Sequence, residues 1–219
     1  VYTVTPPAGS GGLYINGTNE DAALGDAASL KLSTFTLETW FRRVGEGVTA
    51  TTGVGGVTAA PLITKGREQA DQSNLDLNYF LGIRPDGVLV ADFEDSNLGI
   101  NVPVIGATAV PLDEWHHVAA TFDGTTWKLY LDGNLEATRD AGGLVPRADS
   151  IQHAAIATAM NSTGLPAGYF NGYVDEVRIW NGARSQSQVR ASLNFEIASD
   201  TGLVARWGMA EGTGTTITS

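Results

Sequence analysis

The sequence predicts an all-β fold: an antiparallel two-sheet jelly-roll β-sandwich with one short helix near the C-terminus. Three observations predict it. Turn-forming glycines, 27 among 219 residues, punctuate the chain. Runs of β-branched and aromatic residues lie between these glycines, and no alternation of strands with helices appears. A sandwich of this length commonly forms one unit, so we expect a single domain over residues 1–219.

The strands are predicted from alternation and from the turns that separate them. Pro85 presets its φ angle and Gly87 accepts a positive one, so the two mark a tight turn. Asp-Gly pairs at 123–124 and 132–133 join three later runs into a meander. The predicted strands are 35–42, 78–83, 88–93, 115–122, 127–132, 135–138 and 173–180.

The last predicted strand has two different faces. Strict alternation places Asp175 on the inward face together with Val177 and Ile179. The same alternation leaves Arg178 and Trp180 on the outward face. A carboxylate on an inward face is costly without a partner, so Asp175 is expected to hold a cation or accept hydrogen bonds.

One helix and one long loop complete the predicted elements. Ser185 and Gln188 have the spacing of a capping box, and apolar residues from Val189 to Ile197 follow at helical spacing. The segment 44–60, rich in glycine, threonine and valine, is predicted to be a flexible loop.

Composition excludes several classes of function. The formal net charge is −11, from 13 basic and 24 acidic residues, which disfavours nucleic acids and anionic membrane surfaces as partners. The chain has no cysteine, which excludes disulfides and thiolate chemistry. No apolar run is long enough to span a bilayer. The run 212–216, close to the end of the chain, provides no closing element, so we expect a longer parent protein.

Several motifs in order carry a family resemblance. They are FTLETWF at 35–41, WHHVA at 115–119, LYLDG at 129–133 and GYVDEVRIW at 172–180, between an opening LYING at 13–17 and a closing GLVARW at 202–207. This succession resembles the laminin-G-like, concanavalin A-like lectin/glucanase jelly roll, especially its bacterial secreted branch. The resemblance implies two antiparallel sheets packed face to face and, frequently, a structural calcium ion.

The resemblance also implies where that ion would lie. Relatives often bind calcium where the first strand meets the penultimate one. The corresponding ligands here are Asp175 and the turn residues Asn16, Gly17, Asn19 and Asp21. Relatives commonly have aspartate where this chain has Asn16, which lowers the charge of the site. The alternative is that Asp175 only caps neighbouring backbone amides.

A second acidic segment offers another set of oxygen ligands. Its members are Asp71, Asp76, Asp92, Glu94 and Asp95. Carboxylate oxygens are the ligands that calcium prefers, so this segment is a candidate second metal site or ligand-binding loop. The alternative is a solvated acidic loop.

Catalysis is not expected. Glycoside hydrolysis needs two carboxylates at a set separation, and the Glu-x-Asp-x-x-Glu pattern of glycanases with this fold is absent. Adjacent carboxylates such as Glu94 and Asp95 would point to opposite faces of a strand. Candidate sugar contacts are Tyr169, Asn161 and Asn171, which offer a ring and two amides.

The sequence therefore favours a non-catalytic, calcium-containing recognition module of a secreted or cell-surface protein, most plainly a bacterial one. Its expected partners are a glycan or a cell-surface protein, together with neighbouring domains of its parent chain. Two alternatives stay open: a structural spacer or assembly domain, and a glycan-active enzyme that uses the acidic segment 71–97.

Overall fold

The structure is a computed structural model that describes residues 5–7 and 12–210. It confirms the predicted all-β sandwich, with two seven-stranded sheets in which every strand pairing is antiparallel. The run 212–216 lies outside the described residues, and a single domain over 1–219 stays a prediction. No helix among the described residues is long and apolar enough to cross a membrane.

The first sheet contains the predicted meander and the penultimate strand. Its order is β1 (Leu13–Asn16), β15 (Asn171–Asn181), β3 (Phe35–Arg43), β9 (His116–Phe122), β10 (Thr126–Leu131) and β11 (Asn134–Asp140), and β16 (Leu203–Trp207) also pairs with β15. Each of these strands corresponds to a motif in the sequence, so the predicted opening, middle and closing strands all lie in this one sheet.

The second sheet contains the strands that the Pro85–Gly87 turn connects. Its order is β2 (Ala22–Gly25), β12 (Ala154–Ile156), β5 (Thr58–Lys65), β6 (Tyr79–Ile83), β7 (Val88–Asp92) and β8 (Val104–Ala109), and β4 (Ala50–Thr51) pairs with β5. A separate hairpin consists of β13 (Thr158–Met160) and β14 (Pro166–Tyr169).

The prediction of a flexible loop over 44–60 is wrong in its second half. Ala50 pairs with Ala59 and Thr51 with Thr58, so β4 and the start of β5 lie inside that segment. The residues of β4 and the start of β5 are small, so the sequence there shows no strand pattern. Ala59 is nevertheless fully buried against the neighbouring strands, and burial of this kind decides whether such a segment is ordered.

Aromatic side chains join the two sheets at the centre of the core. Phe93, which follows β7 in the second sheet, stacks on Trp127 of the first sheet with ring centroids 5.5 Å apart. Its ring also lies 4.8 Å from that of Phe122, and Phe35 meets the Trp127 ring at 5.4 Å. All four side chains are fully buried, and burying one such ring stabilises the fold by roughly 1.5–3 kcal/mol.

The predicted helix is α1 (Gln186–Ser192), and its capping box is confirmed. The Ser185 hydroxyl accepts a hydrogen bond from the Gln188 amide, and the Gln188 side chain accepts one from the Ser185 amide. The helix ends earlier than expected, so Ile197 is not part of it. Beyond Ser192 the chain turns, with the Phe195 amide donating to the Ser192 carbonyl.

Helix α1 and the turn after it cover part of the outer face of the first sheet. Val189 packs on Ala119 and Tyr130, and the Trp40 indole donates to the Leu193 carbonyl at 2.7 Å. These contacts exclude solvent from side chains that alternation alone places outside the sandwich.

A β-bulge divides β15. Asp175 lies opposite Trp40, whereas Arg178 lies opposite Glu38, so three steps along β15 match two along β3. Glu176 is the extra residue of the bulge, and its φ angle is 47°. Cross-strand partners share a face, so Asp175 lies on the outer face with Trp40. The prediction that Asp175 faces the core is therefore wrong, because strict alternation does not hold across a bulge.

Candidate functional site

The structure does not bring Asp175 to the turn after the first strand. Asn16, the last residue of β1, lies opposite Asn171. Asn171 is four residues before Asp175, a separation of roughly 13 Å along a strand. Calcium ligands lie ~2.3–2.6 Å from the ion, so these residues cannot share one. Asp175 is fully buried, and its Oδ1 accepts a hydrogen bond from the Glu176 amide at 2.9 Å.

The turn itself uses its oxygens internally. Asn16 Oδ1 accepts hydrogen bonds from the amides of Thr18 and Asn19, at 2.9 and 3.2 Å. Gly17 has a φ of 76°, and a Cβ there would lie 2.6 Å from Asn171 Cβ. Asp21 follows the turn, and partial burial raises the pKa of its carboxyl group. These contacts make a closed Asx-type turn.

The second acidic segment does bring three carboxylates together. One carboxylate oxygen each of Asp71, Asp76 and Glu94 lies within 4.8 Å of the others, and we call these three residues the acidic cluster. Asp76 and Glu94 are fully buried, whereas Asp71 is exposed. Asp76 directly precedes the segment leading into β6, and Glu94 follows β7, so two neighbouring strands of the second sheet position the cluster.

Two oxygens of the acidic cluster have no protein partner among the described residues. Asp76 Oδ2 and Glu94 Oε2 are buried and accept no hydrogen bond. The other oxygens of these groups are occupied: Asp76 Oδ1 accepts from the Leu77 amide at 2.7 Å, and Glu94 Oε1 accepts from Arg147 Nε at 2.7 Å. Burial, followed by the adjacent Glu94 carboxylate, raises the pKa of Asp76 to about 8. The cluster therefore requires either a bound proton or a cation.

The donor set of the acidic cluster fits a hard cation. All the available atoms are carboxylate oxygens. Calcium and magnesium prefer such oxygens as ligands, whereas softer metals do not. Three protein oxygens are fewer than the ~6–8 that calcium coordinates, so water molecules would complete the shell.

The two remaining acidic residues of that segment hold loops in place. Asp92 Oδ2 accepts from the Thr52 hydroxyl at 2.6 Å, and Oδ1 accepts from the Val102 amide at 2.8 Å. Burial raises the pKa of Asp92 to about 7. Asp95 accepts hydrogen bonds from the amides of Leu98 and Val145. Neither carboxylate is part of the cluster.

The three predicted sugar contacts lie on different elements. Asn161 lies in the turn of the β13–β14 hairpin, and its Oδ1 accepts from the Leu165 amide at 2.9 Å. Tyr169 lies at the other end of that hairpin, where it forms a backbone bridge with Val48. Asn171 belongs to β15 in the first sheet. Among the described residues no hydrogen bond joins these three side chains, so a shared sugar site stays a prediction.

A row of side chains that sequence reasoning did not identify crosses the outer face of the first sheet, beside the part that α1 covers. Tyr14 lies opposite Tyr173, and Tyr173 lies opposite Arg42. Trp115 directly precedes β9, whose first residue pairs with Phe41 at this end of β3. We call Tyr14, Tyr173, Arg42 and Trp115 the aromatic row.

The rings of the aromatic row contact one another and the arginine. The Tyr14 and Tyr173 ring centroids are 5.0 Å apart, and those of Trp115 and Tyr173 are 6.3 Å apart. Arg42 Cζ lies 4.4 Å from the Tyr173 centroid and 5.9 Å from the Trp115 centroid. Tyr14 is 47% exposed, and the other three side chains are half-buried. Gly12 leaves room for the indole, because a Cβ there would lie 2.9 Å from Trp115 Cη2.

This arrangement has the chemistry of a carbohydrate-binding surface. Partly exposed rings stack on the apolar faces of sugar rings, and a fixed polar group orients the ligand. The row crosses three strand spacings, roughly 14 Å, which suits a short oligosaccharide better than a single ring. Tyr14, Trp115 and Tyr173 lie within the family motifs and Arg42 directly follows one, but only the strand register shows that the four are neighbours.

Comparison with known proteins places the chain among jelly-roll domains. Residues 16–190 match the sequence profile of the Concanavalin A-like lectin/glucanases superfamily. Human pappalysin-1 is 25% identical over 201 residues, a match that covers 87% of this chain and 11% of pappalysin-1. The chain thus spans about a tenth of the length of this curated relative.

Two solved structures share the fold. The CBM40 module of a Ruminococcus gnavus IT-sialidase, solved with α2,3-sialyllactose bound, has 18% identity and a TM-score of 0.66, with 84% of this chain and 96% of that module covered. A candidate carbohydrate-binding protein from Bacteroides ovatus has 17% identity and a TM-score of 0.61, with 93% of this chain and 51% of that protein covered.

Proposed function

The chain belongs to the concanavalin A-like lectin/glucanases superfamily, and on that basis we propose that it is a non-catalytic carbohydrate-recognition domain of a larger protein. The observation that carries the proposal is the aromatic row, three rings and an arginine on a sheet face that α1 covers only in part. The carbohydrate-binding nature of its structural relatives supports it.

Binding on the aromatic row needs little rearrangement of the protein. Tyr173 and Arg42 lie on paired strands of the sheet, so the backbone fixes their separation. Tyr14 lies on the edge strand β1 and offers the most exposed ring. Sites on strands are positioned more rigidly than sites on loops, which lowers the entropy lost when a ligand binds.

A glycan array followed by calorimetry tests the proposal. Tyr14→Ala is expected to weaken binding of an array-selected glycan about tenfold, equivalent to roughly 1.4 kcal/mol. Phe195→Ala removes an exposed ring, 64% accessible, that is not part of the aromatic row. It is expected to leave the affinity for the glycan unchanged. An array without any bound glycan would count against recognition and favour the spacer or assembly alternative.

We also propose that the acidic cluster binds calcium. Asp71, Asp76 and Glu94 would supply one oxygen each, and the ion would neutralise two buried carboxylates whose free oxygens lack other partners. The proposal moves the calcium site from Asp175 to the second acidic segment. Elemental analysis and the melting temperature with and without chelator test it. Asp71→Asn should abolish the calcium-dependent melting shift, whereas Glu114→Gln, at an exposed carboxylate, should retain it.

Secretion or display at a cell surface, in a bacterial parent protein, is part of the same proposal. A site with only three protein oxygens would need the high free calcium found outside cells. Cellular fractionation of the full-length parent protein tests this location.

Absence of catalysis is likewise proposed. Asp76 and Glu94 lie close enough for acid–base chemistry, yet both are fully buried, so a glycosidic bond has no access to them. Incubation with polysaccharides, with reducing-end release as the readout, should give no product; release that Glu94→Gln abolishes would establish an enzyme instead.

A further inference from the structure

We propose that Arg42 makes the aromatic row a receptor for carboxylated sugars, so that the domain prefers acidic glycans to their neutral counterparts. The inference rests on the proposed carbohydrate-binding function and specifies the class of its ligand.

Arg42 has no carboxylate partner among residues 5–7 and 12–210. Other arginines of the chain do: Arg147 pairs with Glu94 at 2.7 Å, and Arg178 pairs with Glu176 at 2.9 Å. Arg43, Arg139 and Arg190 also lack a carboxylate partner in the described part of the chain, but each donates to a backbone carbonyl oxygen. Arg42 differs from them because no described protein atom accepts a hydrogen bond from its guanidinium group.

The hydrogen-bonding groups of Arg42 are also free among the described residues. Its Nε is buried without an acceptor, and neither terminal nitrogen donates to a described residue. The rings of Tyr173 and Trp115 contact the guanidinium group, at 4.4 and 5.9 Å from Cζ. They satisfy its charge in part through cation–π attraction but accept none of its N–H hydrogen bonds in the plane of the group.

A carboxylate is the group that best completes this site. The guanidinium presents its donors in a planar fork that matches the two oxygens of a carboxylate, and such bidentate bonds are among the strongest in proteins. The flanking rings restrict the Arg42 side chain before the ligand arrives, which reduces the ordering cost of binding. Tyr14 and Tyr173 then offer stacking surfaces beside the charged group.

The net charge of the whole chain restricts the class of ligand further. A net charge of −11 repels densely sulfated or phosphorylated polymers at long range, so attraction to Arg42 acts only over short distances. A chain of neutral sugars with an isolated carboxylate suits these conditions better than a polyanion does.

Two matched pairs of ligands test the inference on the unaltered protein. The pairs are 3′-sialyllactose with lactose, and cellobiouronic acid with cellobiose, each titrated by calorimetry at one ionic strength. They separate two sources of the same carboxylate chemistry. We expect the acidic member of at least one pair to bind ten or more times more tightly than its neutral partner.

Variants identify the residue responsible. Arg42→Gln should remove the preference for the acidic ligand, because it lowers the affinity for that ligand at least tenfold more than the affinity for the neutral one. Arg84→Gln, at an exposed arginine paired with Asp86, should leave the preference intact. Arg42→Lys keeps the charge without the planar fork, so it should retain part of the preference and also provides a folded variant if glutamine impairs folding.

The outcomes separate this inference from the proposed function. Equal affinity within both pairs, or an array that retains only neutral glycans, overturns the acidic preference and leaves carbohydrate recognition standing. A preference that persists in Arg42→Gln overturns the role of Arg42. Failure of every glycan on the array to bind overturns both.

Discussion

Trp180 donates its indole N–H to Glu38 Oε1 at 2.8 Å, and the Arg184 guanidinium carbon lies 3.8 Å from the centroid of the Trp180 ring. Both residues are buried, and Glu38 also accepts a longer contact from Arg178 at 3.4 Å. The residues that alternation places on the outward face of the last predicted strand therefore form a buried polar network. The network is buried because the end of α1 folds back over the sheet.

The network predicts a specific stability loss. Trp180→Phe keeps the ring but leaves Glu38 Oε1 without its best donor, so the free energy of unfolding should fall by about 1–3 kcal/mol. Urea unfolding checks the value. Phe195→Ala, at a ring outside this network and 64% exposed, should change it by less than about 0.5 kcal/mol. Equal losses in both variants would show that the hydrogen bond contributes nothing specific.

Calcium binding should depend on pH. The pKa of Asp76 is raised to about 8, so below that pH a cation must displace a proton from the acidic cluster. The calcium affinity should therefore rise roughly tenfold per pH unit between pH 6 and 7, and more slowly near pH 8. Calorimetry at these three values measures it. Asp76→Asn should bind calcium weakly and with a flat profile; a flat profile in the unaltered protein would contradict the expected proton exchange.

The calcium-free protein should show the opposite trend in stability. The folded-state pKa of Asp76 lies above the ordinary value of 3.8, so its contribution to stability is complete at low pH and is lost as pH rises toward 8. With chelator present, the melting temperature of Asp76→Asn should fall less than that of the unaltered protein between pH 5 and 8. Parallel curves would assign any decline to other groups.

His117 should contribute acid sensitivity. Burial lowers the pKa of this histidine to about 4, although Glu38 nearby opposes the shift. The unfolded chain binds its proton near pH 6.5, so His117 favours folding above that pH and loses this contribution as pH falls toward 4. The difference in unfolding free energy between pH 7 and 4.5 should shrink by about 2–3 kcal/mol in His117→Gln. Denaturant melts at the two pH values measure it, and an unchanged difference would refute the assignment.

The helix cap offers a smaller effect. Ser185→Ala removes the acceptor for the Gln188 amide and should destabilise the protein by about 1 kcal/mol. Ser199→Ala, at an exposed serine without a cap, is the matched control. Thermal unfolding distinguishes the two, and identical melting temperatures would mean that α1 is held by its contacts with the sheet alone.

Local patterns in the sequence predicted the elements whose cause is local. The meander β9–β11 follows from Asp-Gly turns, and the start of α1 follows from Ser185 and Gln188. The end of α1 depends on Trp40, whose indole N–H donates a hydrogen bond to the Leu193 carbonyl oxygen. No pattern within the helix sequence predicts such a contact. Strand β5 was missed for the same reason, since its order comes from pairing with β4, β6 and β12.

The candidate sites, too, could be predicted from the sequence only in part. Composition indicated the acidic segment, but only the fold shows that Asp71, Asp76 and Glu94 meet while Asp92 and Asp95 serve their own loops. The aromatic row required strand register across β1, β15 and β3, which sequence alone does not supply.

The bulge at Glu176 makes β15 two modules within one strand. On one side of it, Tyr173 belongs to the partly exposed aromatic row; on the other, Arg178 and Trp180 are buried. Deleting that single residue would restore strict alternation and keep both halves on their present faces, because the bulge adds one residue to the strand. Substitutions on the open half can therefore alter specificity with little effect on folding, so the strand separates evolvability from robustness at one backbone position.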